Sequence, residues 1–194
     1  MISCFKGKFK VTSPIGYRTL RGKQDYHGGM DLVALGSDKS VYAIADGKVD
    51  ATPYEANGFG YYVRQLLPDG RRIYYGHMAK GSIKVKAGQS IKKGDKLGTM
   101  GSTGNSTGAH THIELRVKGA SKTSLDISAF TGIPNKVGTY EASGTVTAEE
   151  KHKRAVECAC KVEDKTGLEK QTINWLWTYK YADDLFIKLW EAMK

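Results

Sequence analysis

Apolar residues between about position 9 and position 132 occur in short runs that end at glycine-containing turns. Valine, isoleucine and tyrosine are frequent in these runs, as they are in β-strands. Clear examples are SVYAIADGKV (40–49), GYYVRQLLPDGRRIYYGHM (60–78) and SIKVKAGQSIKKGDKLGTM (82–100). The segment LPDGRR, between two tyrosine-rich runs, predicts a hairpin turn. The pattern is typical of an antiparallel all-β domain.

The hydrophobic pattern changes in the last quarter of the chain. Residues 133–146 lack periodicity and predict a linker. Thr147 and Glu150 have the spacing of a helix capping box, and an apolar face at helical spacing follows near the C-terminus. That face consists of Leu185, Phe186, Leu189, Trp190 and Met193. We therefore expect a mainly β protein, with an antiparallel β-sheet or β-sandwich domain over residues 1–132 and a small C-terminal α-helical module over residues 147–194.

The net charge of the 194-residue chain is +10, and it is unevenly distributed. Residues 1–144 carry 21 Lys and Arg against 11 Asp and Glu, whereas residues 145–194 carry 9 of each. A basic first domain favours a polyanionic partner or simply a soluble surface. No cluster of aromatic residues among basic ones resembles a nucleic-acid recognition motif, so no nucleic-acid partner is expected. No apolar stretch is long enough to cross a bilayer, so no membrane insertion is expected either.

Two of the five histidines lie one residue apart in the run GAHTHIELRV (108–117). In a strand, His110, His112, Glu114 and Arg116 would share one face, and the apolar residues between them would face the core. Two imidazoles on one face of a rigid strand are a good start for a zinc site, because zinc favours nitrogen ligands in fixed directions. The alternative is an exposed strand face that carries two histidines with no metal.

A second motif, YHGGMDLVA (26–34), places His27 four residues before Asp31. Gly28 and Gly29 disfavour a helix and permit a tight turn into a strand. His27 and Asp31 together with one histidine of the HxH pair would make a set of two imidazoles and one carboxylate, which leaves a fourth position of a zinc ion open for water. Taken alone, His27 and Asp31 would more often be a loop histidine beside a solvated aspartate.

These motifs resemble those of the lysostaphin-type zinc metalloendopeptidases. His27-x-x-x-Asp31, His77 in YGHM and His110-x-His112 occur in the order and approximate spacing of that family, and the surrounding segments agree over roughly residues 10–131. The resemblance implies an antiparallel β fold and cleavage of peptide bonds in bacterial peptidoglycan. It also implies that His27, Asp31 and His112 hold zinc, with His110 and His77 beside the metal-bound water.

The chemistry that this resemblance implies is coherent. A catalytic zinc lowers the pKa of its water to about 7, and a neutral imidazole nearby can take the proton as the water attacks a peptide carbonyl. We expect His110 to be that base, with Glu114 as its rival or as a partner of His112. His77 would orient the water or stabilise the oxyanion. A tyrosine that some relatives use near the oxyanion could correspond to Tyr17, Tyr26 or Tyr74.

The glycine-rich segment GTMGSTGNSTGAH (98–110) lacks the GKS or GKT ending of a phosphate-binding loop. We expect it to form a wall of the substrate groove instead. The tryptophans all lie in the helical module, and we expect most of them to fill its core. The other interpretation of these tryptophans is cell-wall targeting or homo-oligomerisation. They are Trp175, Trp177 and Trp190.

We therefore expect a zinc-dependent peptidoglycan endopeptidase, resembling a bacteriophage lysis enzyme (an endolysin). The first residues, MISCFKGKFKV, lack the apolar stretch of a signal peptide. The expected location is the host cytoplasm, where the enzyme is made, and the cell wall after its release. The alternatives are a tail-associated wall-penetrating peptidase and a non-catalytic wall-binding protein on the same scaffold.

Overall fold

The computed structural model describes residues 1–20, 22–117 and 124–142, together with single positions in the C-terminal part. The described residues of the first domain form antiparallel strands and one short helix. The elements are β1 (Lys8–Ser13), β2 (Gly16–Leu20), β3 (Lys23–His27), β4 (Met30–Ala34), β5 (Ser40–Tyr42), β6 (Gly47–Ala51), β7 (Tyr54–Glu55), β8 (Gly60–Leu66), β9 (Arg72–Met78), β10 (Ser90–Ile91), β11 (Lys96–Thr99), β12 (Thr111–Arg116), β13 (Ser124–Leu125), α1 (Ile127–Thr131) and β14 (Gly138–Glu141).

The main sheet has ten strands, and its central path runs in the order β10-β6-β8-β9-β12-β4-β1-β14, with β13 beside β12 and β7 beside β8. Every strand pair is antiparallel, which confirms the predicted fold class. Strands β11 and β5 form one small sheet, and β2 and β3 form a separate hairpin. The strands that carry the candidate site, β4, β12 and β9, are neighbours in the middle of the main sheet.

The predicted hairpin at LPDGRR connects β8 to β9, and Leu66 pairs with Arg72 at its closed end. The amide of Leu67 donates to the carbonyl oxygen of Arg71 (2.9 Å), and the amide of Gly70 donates to that of Leu67 (2.9 Å). Gly70 has a φ of 87°, a conformation that glycine adopts without steric cost. The Asp-Gly pair in the sequence therefore marked this turn correctly.

The core of the domain lies against one face of the main sheet, on the side to which alternate residues of each strand point. Phe9 and Val11 of β1 are fully buried, and so are Leu32 of β4 and Ile113 of β12. Tyr75 is also fully buried, and its hydroxyl donates to Gln65 Oε1 (2.7 Å) while it accepts from the amide of Ile44 (3.0 Å). The residues between these core positions point to the opposite face, which carries the candidate site.

Part of the segment that we predicted as a linker belongs to the main sheet. Strand β14 (138–141) pairs with β1, and the ring of Tyr140 packs 6.1 Å from that of Phe9. The sequence GTYE is too short to show periodicity, but an edge strand needs only the unpaired backbone groups of its neighbour. The chain divides into two compact units at residues 144 and 145, within the predicted linker.

The second unit spans residues 145–194. Its described positions with helical backbone are Val156, Ala159, Thr166, Leu185, Ile187, Leu189 and Trp190. Thr147, Glu150, Trp175 and Trp177 lie outside the described residues, so the capping box and the role of the tryptophans stay predictions, as does oligomerisation. Among the described helical residues, we find no stretch long and apolar enough to cross a membrane.

Candidate metal centre

Adjacent strands of the main sheet hold two of the predicted metal ligands side by side. His112 in β12 pairs directly with Asp31 in β4, so the two side chains lie on the same face. His27 is the last residue of β3, and Gly28 and Gly29 turn the chain from there into β4. A Cβ atom on Gly29 would lie 2.6 Å from His112 Nε2 and would also overlap the carbonyl oxygen of Ile113. The second glycine is therefore required for the close approach of β4 to the His112 ring.

The side-chain atoms of His27, Asp31 and His112 converge. His27 Nε2 lies 3.1 Å from Asp31 Oδ1 and 3.0 Å from His112 Nδ1, and His112 Nδ1 lies 2.9 Å from Asp31 Oδ1. Both histidines are buried, and the Asp31 side chain is only 13% exposed. The three side chains form a compact group that could hold one metal ion.

In both His27 and His112, the ring nitrogen that points away from Asp31, here called the outer nitrogen, contacts a hydrogen-bond acceptor. His27 Nδ1–H donates to the carbonyl oxygen of Pro14 (2.8 Å), and His112 Nε2–H donates to Glu114 Oε2 (3.2 Å). In the neutral imidazoles, His27 Nε2 and His112 Nδ1 therefore carry lone pairs, and both point at Asp31 Oδ1. Metal-ligating histidines in proteins are held in this way by acceptors on the far side of the ring.

The donor set fits a small divalent cation. In a tetrahedral zinc site with bonds of about 2.0–2.2 Å, ligand atoms lie about 3.3–3.5 Å apart. The distances of 2.9 to 3.1 Å between these three atoms are only a few tenths of an ångström shorter. Two imidazole nitrogens and a carboxylate oxygen are also the ligands of many catalytic zinc sites. The group can therefore accept zinc with a small outward adjustment of its side chains.

The electrostatics of the group likewise favour a cation. Burial raises the pKa of the Asp31 carboxyl, but hydrogen bonds with His112 and His27 outweigh burial and hold that pKa well below its usual range. Burial lowers the pKa of His112, but hydrogen bonds to Asp31 and Glu114 outweigh it and raise that pKa to about 8. A pKa of about 8 leaves His112 protonated at pH 7, so its positive charge balances the carboxylate of Asp31, and a bound metal ion would replace that proton.

Two further histidines lie beside this group. His110 Nδ1–H donates to the carbonyl oxygen of Gly108 (2.7 Å), and His110 Nε2 lies 3.6 Å from Asp31 Oδ1. His77 Nδ1–H donates to the carbonyl oxygen of Thr103 (2.7 Å), and its ring lies 4.6 Å from that of His110. Burial lowers the pKa of His77 to about 4, so this imidazole is neutral at pH 7. The structure thus brings all five predicted site residues to one cleft.

His77 reaches the cleft through an irregularity in its strand. By strict alternation it would share the core face with Tyr75, whereas His112 and Tyr74 share the opposite face. His77 instead has a φ of 58°, in the left-handed region, and the pairing of β8 with β9 shifts register nearby. Backbone strain of this kind is uncommon for a residue other than glycine and is concentrated at functional sites. The bulge turns the imidazole from the core towards the cleft.

Glu114 supports His112 from the side opposite Asp31. Glu114 Oε2 accepts from His112 Nε2–H (3.2 Å), and Oε1 accepts from Arg116 Nε (2.7 Å) and from Ser124 Oγ (2.5 Å). Burial raises the pKa of Glu114, but these hydrogen bonds outweigh it and lower the pKa to about 2. With both oxygens engaged, Glu114 has the geometry of a partner of His112, which was one of its two predicted roles.

The cleft has a volume of about 320 Å³. Its walls are the β2–β3 hairpin, the loop before β8 and the glycine-rich segment 98–110, which agrees with the predicted groove wall. Its lining residues are Arg18, Asp25, His27, Asp31, Gly58, Phe59, His77, Asn105, Ser106, Thr107, His110 and His112. The three candidate oxyanion tyrosines are not among these lining residues: Tyr17 and Tyr26 are exposed, and Tyr74 is buried against Phe59.

Arg18 is a residue of the site that the sequence did not single out. It lies in β2, lines the cleft and approaches the second oxygen of Asp31, with Arg18 Nη1 3.5 Å from Asp31 Oδ2. The sequence contained a weak indication, since Arg18 and Asp25 are a pair of opposite charges that face each other across a short hairpin. Nothing in the local sequence showed that this hairpin folds over Asp31.

An antiparallel β domain with a buried His, Asp and His group in an open cleft has the architecture of a metal-dependent hydrolase. The comparison with known families agrees: residues 25–127 match peptidase family M23. The chain belongs to this family, which confirms the resemblance to lysostaphin-type enzymes that was recognised from the motifs. The match includes the five histidine and aspartate residues of the site.

Individual relatives are similar to part of this chain. A metalloprotease of Haemophilus influenzae is 34% identical over 145 residues, which are 73% of this chain and 28% of the relative. The peptidoglycan DD-endopeptidase ShyA of Vibrio cholerae is 32% identical over 115 residues, which are 57% of this chain and 25% of the relative. The crystallised catalytic domain of the antimicrobial peptidase lysostaphin from Staphylococcus simulans is 29% identical, with a TM-score of 0.55 over 63% of this chain and 91% of that domain. The chain spans only about a quarter of the length of the two curated relatives.

Proposed function

We propose that this protein is a zinc-dependent endopeptidase that hydrolyses peptide bonds in bacterial peptidoglycan. One observation carries the proposal: His27, Asp31 and His112 direct three ligand atoms at a common point, and two further imidazoles face that point. Membership of peptidase family M23 supports hydrolysis of a peptide bond. The named activity of the Vibrio cholerae relative supports peptidoglycan as the substrate.

His27, Asp31 and His112 would hold the zinc ion. A bound zinc ion would acidify a water molecule and polarise the substrate carbonyl. A single carboxylate among the ligands leaves the ion with a net positive charge, and none of the ligands is free to act as a base. The imidazoles of His110 and His77 would therefore act on the attacking water. No HExxH motif supplies a glutamate base in this chain.

His110 is the residue that we assign as general base. Its Nδ1–H is held by the carbonyl oxygen of Gly108, so Nε2 carries the lone pair and lies on the side of Asp31. From that position it can accept a proton from the attacking water and then donate the proton to the leaving amine. Glu114 is not suited to this role, since both of its oxygens are engaged and His112 lies between it and Asp31.

His77 is assigned to orient the attacking water. With Nδ1–H donated to Thr103, neutral His77 carries a lone pair on Nε2 and can accept a hydrogen bond there. Stabilising an oxyanion would require an N–H at Nε2, and the low pKa of His77 disfavours the doubly protonated ring. Of the two roles predicted for His77, the geometry favours the first.

The setting that we propose is cell lysis by a bacteriophage, with synthesis in the host cytoplasm and action on the wall after release. The support for this setting is the sequence resemblance and the combination of a compact peptidase domain with a separate C-terminal unit. A tail-associated peptidase would use the same site on the same substrate. Lysis of cells to which the protein is added from outside, compared with lysis only after release from within, distinguishes the two.

The test is hydrolysis of purified peptidoglycan by the zinc-loaded protein. We expect new amino groups without new reducing ends, and loss of this release with a chelator. His110→Ala should lower the rate by about 10²–10⁴-fold while zinc remains bound at one ion per chain. His152→Ala is the matched control, because His152 lies outside the motifs. Binding of peptidoglycan with no release of amino groups would instead identify a non-catalytic wall-binding protein.

A further inference from the structure

The guanidinium of Arg18 lines the cleft beside the proposed metal ligands and is linked to two of them. Arg18 Nη1 donates to Ser13 Oγ (2.7 Å) and lies 3.5 Å from Asp31 Oδ2. Ser13 Oγ in turn lies 3.2 Å from His27 Nδ1 and shares its N–H, as a second acceptor, with the carbonyl oxygen of Pro14 (2.8 Å). Across the hairpin, Arg18 Nε donates to Asp25 Oδ2 (3.2 Å), which holds the guanidinium in place from the other side.

The two oxygens of Asp31 therefore have different surroundings. Oδ1 lies within 3.1 Å of the inner nitrogens of both ligand histidines, whereas Oδ2 faces the positive charge of Arg18. A carboxylate on a metal ion can bind through one oxygen or through both. The positive charge of Arg18 already neutralises Oδ2. A metal ion is therefore expected to bind Asp31 through Oδ1 alone.

We infer that Arg18 is a positioning residue for the metal centre: it holds Asp31 as a ligand through Oδ1 only and supports the ring of His27 through Ser13. This inference rests on the proposed function, in which His27, Asp31 and His112 hold the zinc ion. A metal bound through one carboxylate oxygen and two nitrogens keeps a position open for water and substrate. Arg18 thus preserves the open position without contacting the metal.

Replacement of Arg18 should weaken metal binding and change the coordination of the metal. Residues that orient the ligands of a metal site typically affect affinity by about 10–100-fold. Without the guanidinium, Asp31 can rotate and offer both oxygens, which raises the coordination number. Arg18→Lys keeps a positive charge but cannot bridge Ser13, Asp25 and Asp31 together, so we expect an effect between those of the wild type and Arg18→Gln.

Arg64, in β8 of the main sheet, provides a matched control away from the cleft. Its side chain is 31% exposed against 30% for Arg18, and it also pairs through Nε with an aspartate, Asp50 (2.6 Å). Arg64 is not among the residues that line the cleft. Arg64→Gln therefore removes an equally exposed arginine together with its ion pair and should leave metal affinity unchanged.

The experiment compares the full-length wild type, Arg18→Gln, Arg18→Lys and Arg64→Gln. Zinc affinity is measured by competition with a chelating indicator, and the coordination of the metal by the visible absorption of the cobalt(II)-substituted proteins. We expect about 10–100-fold weaker zinc binding in Arg18→Gln, with a weaker cobalt absorption that indicates a higher coordination number. Circular dichroism of the metal-free proteins checks folding, and Arg18→Lys provides the comparison if Arg18→Gln does not fold.

The outcomes separate this inference from the proposed function. If the wild type binds zinc and hydrolyses peptidoglycan but Arg18→Gln matches it in affinity and cobalt spectrum, the role of Arg18 is wrong and the proposed function stands. Equal losses in Arg18→Gln and Arg64→Gln would also overturn the role, since they would reflect general destabilisation. A wild type that binds no zinc would overturn both.

Discussion

Gly29→Ala is the substitution that tests most directly how the fold positions the proposed metal ligands. A Cβ atom at this position would lie 2.6 Å from His112 Nε2 and 2.7 Å from His112 Cε1, and it would overlap the carbonyl oxygen of Ile113. Contact between non-bonded atoms requires about 3.5 Å, so the ring of His112 must move by about 0.8–0.9 Å, and the carbonyl oxygen of Ile113 in β12, which is nearer, must move further. A neighbouring backbone oxygen cannot yield by rotation of a side chain, so the strands themselves must separate.

We expect this movement to affect the stability of the domain less than the rate of hydrolysis. Overpacking of a buried site typically lowers the free energy of unfolding by about 1–3 kcal/mol, which a domain of this size can tolerate. A misplacement of about 1 Å in a catalytic group can lower the rate by about 10²-fold. We therefore expect Gly29→Ala to remain folded, to bind zinc more weakly and to release amino groups from peptidoglycan about 10²-fold more slowly.

Gly36→Ala is the control, since a Cβ there meets nothing within 4 Å and no left-handed φ is involved. Both variants are compared by urea unfolding, zinc titration and the rate of amino-group release at saturating zinc. If Gly29→Ala retains the wild-type rate within about threefold while Gly36→Ala behaves as expected, the close approach of β4 to His112 does not set the geometry of the site. That result would refute the structural reasoning for the HGG motif.

Two further predictions concern the surroundings of the site and the stability of the sheet. Glu114→Gln should weaken zinc binding by about 10-fold or more, because the amide holds His112 less firmly. At saturating zinc, the variant should keep most of the rate of hydrolysis. Complete loss of hydrolysis in a fully loaded Glu114→Gln protein would show that the assignment of His110 as base is wrong. Asp50→Asn should lower the free energy of unfolding by about 1–2 kcal/mol at pH 7, since Asp50 Oδ2 accepts from Arg64 Nε (2.6 Å) and from Arg72 Nε (3.0 Å). Burial raises the pKa of Asp50, but the hydrogen bonds from Arg72 and Arg64 outweigh it and lower that pKa below its usual value. The stabilisation is then fully present above the unfolded pKa of about 3.9 and is lost as the pH falls through the lower folded pKa. Urea unfolding from pH 7 to pH 2 should show the difference between Asp50→Asn and the wild type shrinking below about pH 4, and a constant difference would contradict this account.

The sequence predicted the strands of the β domain well, because each strand has a local origin. Alternation of apolar and polar residues in β4 and β12 is a property of consecutive residues, and Asp-Gly turns are encoded within a few positions. Strand β14 was not predicted, because it depends on pairing with a distant part of the chain. Four residues without a clear pattern become a strand only because the edge of β1 is available to pair with them.

The candidate site likewise has residues that short motifs reveal and residues that only contacts between separate segments reveal. His110 and His112 are two residues apart, and His27 and Asp31 are four apart, so their chemistry was visible in short motifs. The sequence also placed Glu114 on the face of His112, but it left open whether Glu114 is a base or a partner of His112. The structure favours the partner, because Glu114 Oε1 accepts hydrogen bonds from Arg116 and Ser124 while Oε2 accepts from His112. The approach of Arg18 to Asp31 was not visible in the sequence, since it depends on how the β2–β3 hairpin lies against β4.

The amino-acid sequence is therefore sufficient for the class of fold, the identity of the proposed ligands and the family, because side-chain periodicity and motif spacing are local properties. The burial of the ligands, the convergence of His27 Nε2 and His112 Nδ1 on Asp31 and the turn of His77 into the cleft arise only when β3, β4, β9 and β12 come together. These features depend on distances between atoms in different strands, which no short motif in the sequence encodes.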